Sequence, residues 1–361
     1  MNSAREWHVL LEALRDGAAG ALVTLLRTRG STFRRAGTRM LVHPDGRVLC
    51  ELSGGCPQRD LVLRSQAAML EGAPLTVAYN ADSGMDVLLE MGCGGEMDVL
   101  IEPLAQPSVA AFVEPLLACI RNRRPVWLAT WFGCDGRVRP ARRLILDVDG
   151  VVFDQFEDAA LVRSVAAIVR NEVIRCAVVM NLPANGMEAN VLIEPVMPPH
   201  RLAIIGSNAA ASAFVPVIEP LGWQLTLVDA DPDRLQPENL PPNVSTVCAS
   251  PAQLHERLPL DANSSVLVMT HNVELDIAWL AALRDSPAAY IGALGSRERA
   301  ARMRGQGGYA DDAVLHAPAG LDIGSETPVE IALSVVAEIL MKLNGRHGGP
   351  LYAAQGAIHG N

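Results

Sequence analysis

The chain has 361 residues, half of them hydrophobic and 19% charged, and a net charge of −10. That length exceeds one ordinary domain, so two or three compact units with sizeable cores are expected. The acidic balance, with no block of lysine and arginine, argues against nucleic acid and anionic membrane and leaves small molecules and proteins as partners. No apolar run reaches the roughly eighteen residues of a membrane span, and the start of the chain, with Arg5, Glu6 and Glu12, is charged and amphipathic, so a cytoplasmic protein is expected. Seven cysteines match neither a disulfide framework nor a CxxC metal pattern. Reduced thiols and no metal site are therefore expected.

In chain order, Ala21–Gly30 and Thr38–Gly46 read as strands, the second ending in an Asp45-Gly46 hairpin turn. Ser53-Gly54-Gly55-Cys56 follows, then a helical segment over about 58–72, then Gly92-Cys93-Gly94-Gly95 and a strand ending at Ile101-Glu102-Pro103. Glycine leaves each neighbouring thiol uncrowded, and the backbone N–H groups of Ser53, Gly54, Gly55, Gly92, Gly94 and Gly95 suit a thiolate or a bound anion. A thiol so placed can be attacked, carry sulfur or hold a metal; the plainer alternative is a small hydrophobe between turns.

The pattern then repeats. Val126–Gly133 and Arg142–Gly150 echo the first strands, a helix is expected over 158–171, and Ile193-Glu194-Pro195 closes the copy as Ile101-Glu102-Pro103 closes the first. Residues 20–104 and 125–196 read as a duplicated β-rich unit within one α+β domain over 1–197. At the matching positions the second copy has Glu157-Asp158-Ala159-Ala160 and Ala184-Asn185-Gly186-Met187 where the first has its cysteine loops. Loss of both cysteines in an otherwise kept pattern favours function over packing for Cys56 and Cys93.

Beyond Pro198-Pro199 strands and helices alternate, the pattern of a Rossmann-like, doubly wound parallel sheet over 200–345, with a mobile tail over 346–361. Arg201–Ile205 is a buried strand breaking at Gly206, Ala209–Leu221 reads as helix, and Gln224–Val228 leads to Asp229, an acid placed to bind a ribose hydroxyl or simply to end a strand. In the dinucleotide fingerprint, positions one, two and three fall on Gly206, Asn208 and Ala211, with Ser207 between the first two. Two further strands, Ser265–Met269 and Ala289–Gly292, deliver Thr270-His271-Asn272 and Gly292-Ala293-Leu294-Gly295-Ser296-Arg297 to the same carboxyl edge. Ser296 can cap a helix over 297–305 whose positive end, with Arg297, suits an anion. Thr327, Pro328 and Glu330 form a capping box for a last helix whose apolar face is expected along Leu333, Val336, Ala337 and Leu340. The glycine-punctuated loop before it, Ala319–Gly324, can close over the crevice.

Taken together, Gly30-Ser31-Thr32 with Arg34-Arg35, Gly37, Arg39–Val42, the two cysteine loops with Glu96, Ile101-Glu102-Pro103, Thr270-His271, Tyr290-Ile291-Gly292, Leu294–Arg297, Gly320–Gly324 and Thr327-Pro328 resemble the XdhC/CoxI family over nearly the whole chain. The resemblance implies a maturation factor for molybdenum hydroxylases rather than a turnover enzyme. Such a factor binds molybdopterin or molybdopterin cytosine dinucleotide, assists its sulfuration with a NifS-like cysteine desulfurase, and inserts it into an apo-enzyme of the xanthine dehydrogenase, aldehyde oxidase or CO dehydrogenase type. It places Cys56 and Cys93 at the sulfur, Arg35 and Arg39 at phosphate, and the Rossmann positions Gly206 to Asn208, Asp229, His271, Gly292, Gly295 to Arg297 and Asp322 at the cofactor. The chain departs from the family with Pro57-Gln58 after the first cysteine, Ser207-Asn208-Ala209 in the Rossmann loop and Asn272 where an acid is usual. An NAD(P)-dependent oxidoreductase and a scaffold that joins desulfurase to apo-enzyme without binding cofactor are the competing readings. A homodimer is expected from apolar surface left by the duplicated domain.

Overall fold

A computed structural model of the chain describes residues 3–30, 32–53, 55–80, 95–105, 109–172, 174–206, 210–235, 241, 244–309 and 314–353. The chain forms two compact units, Met1–Pro198 and Pro199–Ala354.

The first unit is mixed α/β, built from two antiparallel sheets of five strands each. One contains β1 (Ala21–Arg29), β2 (Arg39–Val42), β3 (Val48–Leu49), β4 (Leu75–Tyr79) and β5 (Glu96–Pro103) in the order β3-β2-β1-β5-β4. The other contains β6 (Val126–Cys134), β7 (Arg137–Leu146), β8 (Val151–Asp154), β9 (Val178–Ala184) and β10 (Met187–Val196) in the order β8-β7-β6-β10-β9. The two orders are the same path traced twice, as the duplicated sequence pattern implies. Each copy also has a helix ahead of its first strand, α1 (Ala4–Arg15) or α3 (Val113–Arg121), and one after its third, α2 (Gly55–Glu71) or α4 (Ala159–Asn171).

The central strands read as unbroken apolar runs because both of their faces are covered. In β1, Ala21, Val23 and Leu25 face Leu61 and Ala68 of α2, while Leu22 joins Trp7, Leu11 and Leu14 of α1 together with α3 and strands of the second sheet. In the second copy Leu161, Val165 and Val169 of α4 cover the corresponding outer face. Leu26 and Leu100 of one sheet meet Phe132, Ala141 and Leu192 of the other.

The second unit holds a six-stranded parallel sheet: β11 (Arg201–Ile205), β12 (Gln224–Asp229), β13 (Val244–Cys248), β14 (Ser264–Val268), β15 (Tyr290–Ala293) and β16 (Leu315–His316) in the order β13-β12-β11-β14-β15-β16. Counted from β11, this is the 3-2-1-4-5-6 order of a dinucleotide-binding fold. Helices cover both faces. The first face carries a short helix α5 (Val215–Ile218), set within 3₁₀ turns, and the last helix, which we label α9 (Pro328–Leu343). The second carries α6 (Leu254–Arg257), α7 (Val273–Leu283) and α8 (Arg297–Gln306).

Two expectations need correction. The segment after Gly206 is not one regular helix: Ala211–Phe214 and Glu219–Leu221 are 3₁₀ turns flanking four α-helical residues, and Pro216 and Pro220 each remove a backbone donor that a continuous helix would use. The buried stripe of α9 runs along Ala332, Val335, Val336 and Ile339, whereas Leu333 is 51% exposed. The stripe lies one position away from the expected register because apolar residues stand on every side of this helix, twelve of its sixteen positions, which leaves periodicity little contrast to work with. The Thr327–Glu330 capping box is present.

Candidate functional site

The carboxyl ends of the parallel strands gather the second-unit candidates along one edge. β11 is followed directly by Gly206, whose φ is +105° and whose N–H donates to Val228 O at 2.8 Å. A Cβ there would stand 2.9 Å from Thr270 N, just past β14. Glycine thus lets the turn after the first strand close against the fourth, at the point where the strand order reverses and such sheets bind ligands. Ser207 and Asn208 lie outside the described residues.

β12 ends at Asp229, which is buried and accepts the N–H of Asp231 on Oδ1 at 3.0 Å. Past β14, His271 is exposed, and Asn272 caps α7 by accepting the N–H groups of Glu274 and Leu275 at 3.0 and 3.3 Å. Asparagine here does the capping work that an acid would do. Past β15, Gly295, Ser296 and Arg297 are exposed, and Ser296 Oγ accepts Arg299 N–H at 3.2 Å as the cap of α8. Asp322, between β16 and α9, is exposed as well. Gly292 differs: it is buried, and a Cβ would fall 2.6 Å from Cε1 of Tyr290, so its smallness serves that ring.

Sequence reasoning missed what holds this edge in shape. Asp276, fully buried on α7, accepts from Thr270 N–H at 3.1 Å and Thr270 Oγ1 at 2.5 Å and is ion-paired to Arg299 of α8. Arg299 also donates to Thr270 O at 2.8 Å. One carboxylate therefore ties the loop after β14 to the first turn of α8. The signal in the sequence is an acid at the helical spacing of Trp279, Leu280 and Leu283, the buried positions of α7.

A second, partly buried cluster anchors the loop before α9. Glu338 accepts from Tyr290 Oη at 2.6 Å and from Gly320 N–H at 2.8 Å, and lies 2.9 Å from His316 Nδ1. Burial favours the neutral form of Glu338, yet the hydrogen bonds from His316, Tyr290 and Gly320 outweigh it and hold the carboxyl below its usual range. The Tyr290 hydroxyl is pushed up by burial and by Glu338.

In the first unit, Cys56 falls in the first turn of α2, which starts at Gly55 with φ +67°. Its side chain, Gly54 and residues 81–94, with Gly92, Cys93 and Gly94, lie outside the described residues. Ser53 is buried and its N–H donates to Gln58 Oε1 at 3.3 Å; Gly95 stands directly before β5. The second copy shows how the corresponding corners relate. Asp158 caps α4 through the N–H groups of Ala160 and Leu161, both at 3.0 Å, and its other oxygen accepts Asn185 Nδ2 of the β9–β10 turn at 2.7 Å.

The candidate arginines separate. Arg35 is exposed, whereas Arg39 is 1% exposed and ion-paired to Glu194 at 2.5 Å, so its guanidinium belongs to the core of this unit. Of the remaining cysteines, Cys50 is half-buried and its thiol is pushed up to about 11, by burial first and then by Glu6. A thiol so held is a poor nucleophile. Among the described residues no group of three His, Cys, Asp or Glu is placed to hold a metal ion, and no helix is long and apolar enough to cross a membrane.

Comparison with known proteins agrees with this architecture. Residues 13–80 match the family described as XdhC and CoxI, and residues 202–339 match the XdhC Rossmann domain. The chain is 27% identical over 337 residues to a Bacillus subtilis protein named as a probable xanthine dehydrogenase subunit, covering 92% of this chain and 96% of that one. It is 24% identical over 337 residues to the Escherichia coli molybdenum cofactor insertion chaperone PaoD, covering 91% of this chain and 85% of that one. Among solved structures it resembles a xanthine dehydrogenase from Bacillus halodurans, with a TM-score of 0.77 at 25% identity over 95% of this chain and 96% of the other. With both units matched, the chain belongs to the XdhC and CoxI family.

Proposed function

We propose that the protein is a maturation factor for molybdenum hydroxylases that binds the molybdenum cofactor, as molybdopterin or its cytosine dinucleotide, and delivers it to an apo-enzyme. The observation that carries this reading is the carboxyl edge of the parallel sheet, where Gly206, Asp229, Thr270-His271 and Ser296-Arg297 follow successive strand ends. The likeness to PaoD over most of both chains supports the choice of cofactor.

The residues present suit such a group. Backbone donors in the first turn of α8 have no partner within the helix, and with Arg297 they suit a phosphate. Asp229 supplies a carboxylate at the end of β12 for a hydroxyl. The thiols of Cys56 and Cys93 suit soft sulfur chemistry, and we assign to them the holding or relay of sulfur received from a cysteine desulfurase. When bound, the cofactor supplies the metal and its sulfido ligand, while the chain's own part is to bind, orient and shield. Neither role calls for a general base.

The test is pterin analysis of the purified protein after addition of molybdopterin or its cytosine dinucleotide and desalting. Stoichiometric retention that weakens in Arg297→Ala and Cys93→Ala is expected; no retention of either form overturns the reading. The strand order and Asp229 equally suit a nicotinamide dinucleotide. Titration with NAD and NADP, followed by tryptophan fluorescence, separates that second reading: saturable binding of these alone would favour it.

A further inference from the structure

The inner faces of the two sheets in the first unit carry the same arrangement of polar residues. Arg39 stands opposite Thr24 in the β1–β2 pairing, and Arg143 opposite Thr130 in the β6–β7 pairing. Glu102 stands opposite Leu22 in β1–β5, and Glu194 opposite Leu128 in β6–β10. Each sheet therefore owns one arginine and one glutamate at matching places. The ion pairs nevertheless cross: Arg39 meets Glu194 at 2.5 Å, and Arg143 meets Glu102 with its two contacts at 2.5 and 3.0 Å. All four side chains are at most 2% exposed. An aromatic ring from the leading helical segment lies against each guanidinium, Trp7 at 5.0 Å from Arg39 and Phe112 at 5.3 Å from Arg143.

Where residue i of one body meets j of another and j meets i, the interface is isologous, the form that two-fold homodimers use. Here both bodies belong to one chain. Removing or mismatching one partner of a buried charge pair leaves an uncompensated buried charge, so any pairing of the two faces that leaves one charge unmatched is strongly disfavoured.

We propose that the inner face of each copy is a self-complementary docking surface whose fitting partner is another copy of the same unit. Pairing of the first copy with the second inside one chain is then one of several equivalent pairings. It prevails because the connection through Leu104–Phe112 gives the two copies a high effective concentration. Two chains carry everything needed to pair like with like, Arg39 of each against Glu102 of the other and Arg143 of each against Glu194 of the other. The inference is independent of the cofactor reading.

The test uses full-length protein and two double variants. Arg39→Glu/Glu194→Arg inverts one pair and leaves both pairs matched within a chain. Arg39→Glu/Glu102→Arg sets a carboxylate against Glu194 and a guanidinium against Arg143 within a chain, yet matches every charge when two chains pair like with like. Mass by light scattering, with circular dichroism as a check of folding, is expected to give the wild-type value for the first variant and at least about twice that value for the second. A second variant of wild-type mass, or one that fails to fold while the first folds, overturns the proposal. If both fail to fold, wild-type chain refolded from urea at rising concentration decides. A growing fraction at about twice the mass of never-unfolded protein is expected, since pairing between chains then competes with pairing within one. A refolded product of native mass at every concentration refutes the idea.

Discussion

Replacing Asp276 by alanine should loosen the ligand edge of the second unit more than any change among its exposed residues. Asp276 is fully buried and takes three donors: Thr270 N–H, Thr270 Oγ1 and the Arg299 guanidinium. A buried donor left without a partner costs about 1–3 kcal/mol, and breaking a buried ion pair from one side costs about 3–5 kcal/mol. The Arg299 side chain is 27% exposed, so water can take over part of its solvation, and the Thr270 hydroxyl can turn its proton to Asn272 O at 2.9 Å. The low end of the ion-pair range, about 3 kcal/mol, therefore applies. In a unit of this size such a loss lowers the melting temperature by about 6–12 °C. The assay is calorimetry of the full chain, with tryptophan fluorescence of a variant that keeps Trp279, buried on the same helix as Asp276, and carries phenylalanine at the other four tryptophans to assign the transition to this unit. A fall of under about 3 °C, equivalent to about 1 kcal/mol or less, would show that the carboxylate does not hold Thr270 and Arg299 together and would remove the argument that one residue shapes both loops.

Three further outcomes are expected. Gly206→Ala should destabilise the chain by more than the roughly 1–2 kcal/mol of left-handed backbone strain, read as a lower urea midpoint, since its Cβ must also displace Thr270 N from 2.9 Å; an unchanged midpoint would deny the close approach. Glu102→Leu should cost about 3–5 kcal/mol in chemical denaturation by stranding Arg143, while adding Arg143→Met recovers most of the loss; equal single and double variants would contradict a coupled pair. Glu338 is held below its ordinary value of 4.5, so its contribution to stability is complete above pH 4.5 and fades as pH falls through the lower folded-state value. The deficit of Glu338→Gln in melting temperature should accordingly be largest near neutral pH and shrink well below pH 4.5, and a deficit that grows in acid would reverse the assigned sign.

Much of the architecture follows from local rules and is legible in the chain. Apolar runs of strand length, the break at Gly206, the capping box at Thr327 and Glu330, and the repeated Ile-Glu-Pro endings each depend on residues close in sequence. Their order alone implies a doubled antiparallel unit followed by a parallel α/β sheet, and the matched registers of β1–β5 and β6–β10 carry the same message in three dimensions. Only tertiary structure decided which charges meet. Judged by its sequence neighbours Arg39 is available to phosphate, yet it is paired with Glu194 from the other sheet. By spacing Asp276 is one acid among several on a helix, yet it is the buried partner of Arg299. Ion pairing and burial are settled by contacts between residues far apart in the chain, whereas propensity and periodicity report only the near ones. Strands and turns are therefore open to reading from sequence, and the identity of each charged side chain's partner is not.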